Sequence, residues 1–249
     1  DYFIGMGLTA EEVSLKYNVS RDDQDDFAYH SHQKAMAAIE SGKFSKEIVP
    51  VTIEETYYDN GKRKKRSFVV DTDEGPRKDT TVEALAKLKP AFKTGGIVTA
   101  GNSSQTSDGA AFVVVMSERL MKQLGLEPEA RLVNCSSVGV NPRYMGIGPC
   151  EAVPKALKNA GLSLNDMDII ELNEAFAAQS LAVIRTLEVD PARVNPNGGA
   201  IALGHPLGCT GARLAITLSR ELKERNKRYG MVTACIGGGQ GIAAVIERL

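Results

Sequence analysis

The sequence predicts an α/β fold with a mixed β-sheet packed by helices, and three observations carry that reading. From about Gly95 onward, short apolar strands alternate with amphipathic helices and small-residue turns, the texture of layered α/β proteins. The last two strands, Met231 to Cys235 and Ile242 to Ile246, are joined only by Gly237-Gly238-Gly239-Gln240-Gly241. That link is too short for a parallel crossover, so at least one strand pair must be antiparallel. With 249 residues, 43% hydrophobic and 24% charged, the chain is long and apolar enough to bury a large core.

The elements follow in order. Ser20 precedes an acidic first turn, Asp22-Asp23, and Gly42 closes the pattern, so residues 20 to 41 read as one helix. His30 and His32 on that helix are spaced i,i+2; they point to different sides, which argues against a shared metal and places both on a solvated face. Ile48 to Ile53 reads as a short strand, and Asp59-Asn60-Gly61 as a hairpin turn. The basic run Lys62-Arg63-Lys64-Lys65-Arg66 then forms an exposed ribbon, a solvated edge with at most a minor part in attracting a phosphorylated ligand. Ala110 to Met116 and Ala130 to Val138 both read as buried strands. Next come a helix over Cys150 to Ala160, a strand over Asp168 to Leu172 and a helix over Phe176 to Leu187. A last helix from about Leu207 to Arg225 lines up Leu214, Leu218 and Leu222 on one face, ahead of a strand from Tyr229 to Cys235.

Charge and cysteine use exclude several function classes. Thirty basic against thirty-one acidic residues give a net charge of −1, so no global field draws in nucleic acid or an acidic membrane. No apolar run reaches the roughly 20 residues of a membrane span. Cys135, Cys150, Cys209 and Cys235 lie far apart and suggest a reducing compartment rather than a disulfide framework. P-loop, nucleophile-elbow and zinc-protease patterns are missing. Gly5-Met6-Gly7-Leu8-Thr9-Ala10 fits a loose dinucleotide pattern but has no full strand before it, and reads as a chance match.

Three segments set reactive side chains among small residues where strands end or helices begin: Asn173-Glu174-Ala175-Phe176, the run from Asn197 to Arg213 around His205, and Cys235-Ile236-Gly237-Gly238-Gly239. His205 is followed by Pro206 and stands just ahead of a helix, whose positive end favours a neutral imidazole, a usable base. Taken alone it also reads as a buried histidine satisfied by backbone carbonyls. Cys235 meets three glycines whose exposed N–H groups can bind an oxyanion, or it is inert packing. Asn173 can orient a water or simply cap a turn.

Together these segments resemble the thiolase family. The runs N-E-A-F-A, G-G-A-I-A-L-G-H-P-x-G-x-x-G-A-R and C-x-G-G-G-x-G stand in family order, and upstream Met6 to Glu11, Asp73 to Arg77, Lys89 to Phe92, and Thr99 to Ser104 with Ser107 to Ala110 are also similar. The resemblance implies a thiolase-like layered fold with part of an inserted loop domain. It divides the chain into residues 1–109, the remainder of the loop domain with the end of an N-terminal core, and 110–249, the C-terminal domain. It further implies an acyl-CoA C-acyltransferase, of the degradative 3-ketoacyl-CoA thiolase type. The alternatives are a biosynthetic acetyl-CoA acetyltransferase or a CoA-binding module without catalysis; a decarboxylating ketoacyl synthase fits less well, because Cys235 stands where such enzymes carry a second histidine.

By that resemblance His205 is the base for a nucleophilic thiol, and Cys235 exchanges the proton of the α-carbon or of the departing thiol. Asn173 holds a water for one oxyanion site, and the Gly237 N–H helps form the other. Arg77, Phe92, Ala100, Ser104, Met145 and Phe176 are the implied contacts for coenzyme A, which enters as substrate with no resident cofactor and no metal. Implied partners are acyl-CoA and a second copy of the chain, in a dimer or tetramer. The implied compartment is the bacterial cytoplasm, or the mitochondrion or peroxisome of a eukaryote. By the same resemblance the family's N-terminal half, with its acyl-accepting cysteine, is expected to be absent, and the chain alone to lack turnover.

Overall fold

The structure is a computed structural model and describes residues 3–249. Helix α1 (Met6–Lys16) begins directly after Gly5, and among the described residues no strand leads into it. Met6 to Ala10 lie within this helix rather than in a glycine-rich loop ahead of one. Gly7 is needed for packing instead, since a Cβ there would lie 2.1 Å from the Phe92 ring. Helix α2 (Arg21–Glu40) forms as the caps predict, with Ser20 and Asp23 completing a reciprocal capping box. The two histidines diverge, but only His30 is solvated; His32 is 5% exposed, so its expected place on a solvated face is corrected. Burial is set by the turn after residue 75, whose Arg77 N–H donates to His32 Nδ1 at 3.1 Å.

Strands β1 (Val51–Asp59) and β2 (Lys62–Val70) form the expected exposed hairpin around Asn60 and Gly61, paired from Val51↔Val70 to Asp59↔Lys62. The first strand starts three residues later than Ile48. After helix α3 (Val82–Ala86) the chain runs through an irregular segment to helix α4 (Glu118–Leu124). The buried strand expected over Ala110 to Met116 is not formed: Phe112 is 89% and Val114 82% exposed. An apolar run becomes a strand only if a neighbour supplies the ladder, and none of the sheet's strands pairs with it.

The main sheet has the order β3-β6-β5-β4, with β3 (Ala130–Gly139), β4 (Ile169–Leu172), β5 (Tyr229–Ile236) and β6 (Gln240–Arg248). It is mixed as predicted, with β4 parallel to β5 and the other two pairs antiparallel. Strand β3 forms where expected but is not buried as expected: it lies at the sheet's edge and most of its residues are exposed or half-buried. Helix α5 (Gly148–Ala160) covers one face, and helix α6 (Ala177–Thr186) adds Val183 and Ile184 to the same cluster of Ile170, Leu172, Met231, Ala243 and Val245. Short helix α7 (Ala200–Leu203) leads to α8 (Thr210–Glu224), which seats Leu218 and Leu222 on Ile169 and Ile246 of the opposite face. Strand β4 lies at the sheet's edge yet is wholly buried, because Asn195 completes it: its N–H donates to Ile170 O and its side chain bonds both the N–H and the C=O of Leu172. Among the described residues no helix is long and apolar enough to cross a membrane.

Candidate active site

Because β4 and β5 are parallel, their carboxyl ends share one edge of the sheet, and the candidate residues gather there. Asn173 follows the last residue of β4; its N–H donates to Thr233 O at 2.9 Å, and its side chain is buried. The Asn173 Nδ2 lies 3.3 Å from His205 Nε2. The predicted histidine and amide are thus in direct contact across 32 residues of sequence. Cys235 lies on β5, two residues past Thr233, about 7 Å further along the strand at its usual rise. No hydrogen bond joins it to the pair. Gly237 is exposed in the turn that follows.

The backbone ahead of His205 is fixed by Gly204, whose φ of +91° suits glycine and where a Cβ would meet Ser107 Oγ at 2.2 Å. The imidazole itself is oriented by its neighbours. Thr210 Oγ1 donates to Pro206 O at 3.0 Å, so at 2.7 Å it accepts from His205 Nδ1–H, and Nε2 is left with its lone pair toward the Asn173 amide. Burial, and then the charge of Arg213, hold the His205 pKa below its ordinary value, which keeps the ring neutral near pH 7. Burial pushes the Cys235 thiol up to about 12, so at neutral pH it carries a proton to give rather than a thiolate.

Several supporting residues were not singled out from the sequence. Glu174 is buried beneath the 195–201 turn and accepts from Ser31 Oγ, Asn195 Nδ2 and the Ile201 N–H. Gln105 joins three segments: its Nε2 reaches the carbonyls of Gly75, Ile201 and Ala202, and its own carbonyl accepts from the His205 N–H. Beneath the site Glu171 is fully buried, with both oxygens lacking a hydrogen-bond partner and the Arg213 guanidinium 4.0 Å away. Burial raises its pKa to about 8 despite that cation. Thr210 does lie inside one of the recognised motifs, and a hydroxyl five residues after a histidine at a helix start was the available signal. Gln105 and Glu171 had none, because their partners are remote in sequence.

Of the six expected coenzyme A contacts, two line one cleft and the other four lie outside its lining. Arg77 and Ala100 line a cleft of about 260 Å³ together with His32, Asp79, Thr80, Leu85 and Gln105. Ser104 is anchored by its N–H to Ala175 O, and Phe176 meets Phe92 edge-on with ring centroids 5.9 Å apart. The 97–105 loop that carries Ala100 and Ser104 is itself pinned by buried polar groups. Glu11 accepts from the Ile97 and Val98 N–H groups, and Asn102 bridges Thr99 and Asp25. Met145 is buried in the 3₁₀ turn Pro142–Ile147, which packs against α1 and α6, apart from the cleft. A second cavity, of about 270 Å³, opens at the amino end of β4, far from His205; it is ringed by Arg193, Arg225 and Lys227, each held by a carbonyl or carboxylate of the chain.

Residues 2–119 match the family described as Thiolase, N-terminal domain, and residues 126–248 match Thiolase, C-terminal domain. The chain is 54% identical over 248 residues to the 3-ketoacyl-CoA thiolase of Bacillus subtilis (strain 168), covering 99% of this chain and 63% of that protein. Among solved structures, the acetyl-CoA acetyltransferase of Bacillus anthracis aligns with a TM-score of 0.92 at 50% identity, over 99% of this chain and 60% of that one. Human mitochondrial 3-ketoacyl-CoA thiolase in complex with CoA aligns at 0.88 and 44%, over 99% and 59%. The chain thus spans about three fifths of the length of the relatives it matches.

These matches correct one expectation. The N-terminal domain is not absent, since residues 2–119 match it. A domain is specified by its whole pattern of helices, turns and buried positions, here α1, α2 and the pinned 97–105 loop, and not by one reactive side chain. With that correction the ground for expecting an inactive chain is gone. The thiolase-like fold and the two domain matches across nearly the full sequence lead to one assignment: the chain belongs to the thiolase family.

Proposed function

We propose that this chain carries thiolase chemistry: acyl transfer between coenzyme A thioesters, as thiolysis of a 3-ketoacyl-CoA to acetyl-CoA and a shortened acyl-CoA, or the reverse condensation. The observation that supports it most is the His205–Asn173 pair, with the imidazole's basic nitrogen fixed toward the amide by Thr210. In this reading His205 Nε2 takes the proton of an attacking thiol, and Cys235, held as the thiol, exchanges a proton with the substrate α-carbon. Asn173 and His205 together orient a water at one oxyanion; the buried Asn173 Oδ1, which has no protein partner, is the acceptor such a water needs. The Gly237 N–H helps hold the other oxyanion.

Coenzyme A is the substrate and no resident cofactor is assigned. Its nucleotide occupies the cleft of Arg77 and Ala100, its pantetheine arm runs past Ser104 and Phe92, and the acyl end reaches Phe176 and Met145. The acyl-accepting thiol is left unassigned among the four cysteines. Self-assembly into dimers or tetramers belongs to the same reading.

A second reading, a CoA-binding module without turnover, is favoured by the thiols themselves: Cys150 is pushed up to about 11, Cys235 to about 12, and Cys209 also upward, all by burial. One experiment separates the two. The purified chain is incubated with a 3-ketoacyl-CoA and CoA, and acetyl-CoA is followed by chromatography. Thiolase chemistry gives turnover that His205→Ala lowers by roughly 10²- to 10⁴-fold, the usual contribution of a general base. Tight CoA binding without product supports the binding module, and turnover indifferent to His205 defeats the proposed mechanism.

A further inference from the structure

Glu171 is a fully buried titratable group that the proposed reaction leaves unused. Strand β4 turns alternate side chains toward α8: Ile169, which packs on Leu218 and Leu222, then Glu171, then Asn173 just past the strand. Helix α8 meets them in reverse order, with Arg213 one turn after Thr210, and Leu218 and Leu222 further on. The interface is thus tiered. The Asn173–His205–Thr210 contacts lie over a Glu171–Arg213 pair, and that pair lies over apolar packing.

Continuing the apolar tier would fill the same space without charge, and a buried ion pair is seldom more stable than well-packed apolar side chains. This pair is also poorly made for holding the fold. Its nearest N and O atoms are 4.0 Å apart, and neither Glu171 oxygen nor either terminal nitrogen of Arg213 has a hydrogen-bond partner. Glu171 is nevertheless the only ion-pair partner of Arg213 among the described residues. The other charged groups that face Glu171 are Glu174 on its own segment, Glu47 after the 3₁₀ turn Phe44–Lys46, and Glu221 on α8, and all three oppose its ionisation. The Arg213 charge in turn is felt by Asp73, Glu47 and His205.

We propose that Glu171 is a positioning residue for the His205 base, acting through Arg213: as the uncharged acid it leaves the guanidinium charge uncompensated beneath the imidazole, and as the carboxylate it cancels that charge and makes Nε2 more basic. Because burial raises the Glu171 pKa to about 8, the changeover falls just above neutral pH. Below it, the uncompensated cation keeps the ring a free base, ready for the proton of a thiol. This inference rests on the reading of His205 as that base.

Nitrogen-15 spectra of the histidine-labelled whole chain, followed across pH, test the coupling without needing turnover. The chain has three histidines, and His205→Ala identifies the signal of the third. In wild type that signal should titrate below the ordinary midpoint of about 6.5, then show a second, smaller displacement near pH 8. Glu171→Gln should leave the first midpoint in place, because the acid it mimics is uncharged there, and abolish the second displacement. Arg213→Met should raise the first midpoint by about one pH unit, the usual effect of removing one nearby like charge, and abolish the second displacement too. Arg213→Lys keeps the charge and should keep both features. No displacement near pH 8 in wild type, one that survives in Glu171→Gln, or a first midpoint indifferent to Arg213→Met overturns the proposal. If Arg213→Met does not fold, the isosteric Glu171→Gln decides alone. A chain that shows both displacements but no turnover of a 3-ketoacyl-CoA fails as a thiolase, while the coupling of Glu171 to His205 stands.

Discussion

Thr210 gives its only hydroxyl proton to the Pro206 carbonyl, and this is what obliges His205 to present Nε2 as the basic nitrogen. Thr210→Val keeps the shape and removes that constraint, so kcat should fall by about ten- to a hundredfold, the usual cost of losing a group that orients a catalytic histidine. Thr210→Ser should retain most of the rate. Equal rates for the valine and serine variants would show that the hydroxyl does not orient the ring. Glu171 makes a different prediction. Its native pKa, near 8, lies above the unfolded value, so the folded state binds more protons between about pH 5 and pH 8 and stability must fall as pH rises through that window. Glu171→Gln removes the titration. Its urea midpoint should therefore exceed that of wild type by more at pH 8 than at pH 5.5, and a constant difference would contradict the burial argument.

Elements were legible from sequence where their determinants are local. The Ser20–Asp23 box and the Asp59-Asn60-Gly61 turn announce helix α2 and the β1–β2 hairpin within a few residues, and both formed. The run from Ala110 to Met116 has equal apolar content but no local partner, and pairing is a long-range property that periodicity does not contain. His32 was misplaced for the same reason, its cover coming from the turn at Arg77, 45 residues away. The hairpin's exposure has a measurable consequence. Its strands bury almost nothing, and Val51 and Val70 are paired at its base. Replacing residues 51–70 by a short Gly-Ser link should therefore move Tm by no more than about 3 °C, as expected for a segment outside the cooperative core. A larger drop in a thermal scan would mean that the ribbon packs on the body.

Across the whole molecule, the clustering of Asn173 with His205 and the placing of Cys235 at the same sheet edge could be anticipated from motifs. The cross-links that hold them there, Glu174 to Ser31 and Gln105 to Ala202, span 143 and 97 positions and could not. The exposed stretch Phe112 to Val115 is a whole-molecule liability of another kind. Four consecutive apolar residues with high strand propensity invite association between copies. Val114→Lys should lower the self-association seen by light scattering and leave CoA affinity as it was; unchanged scattering would clear the stretch of that role.

The Gln105 carboxamide is tied at once to the carbonyl of Gly75, two residues before Arg77, and to the turn that ends in His205. Such a strut makes the two ends of the groove mechanically one piece, so that pressing on one end stiffens the other. A thioester cut down to its pantetheine handle should consequently react more slowly even at saturation, not merely dock more loosely, and Gln105→Ala should erase that difference in maximal rate.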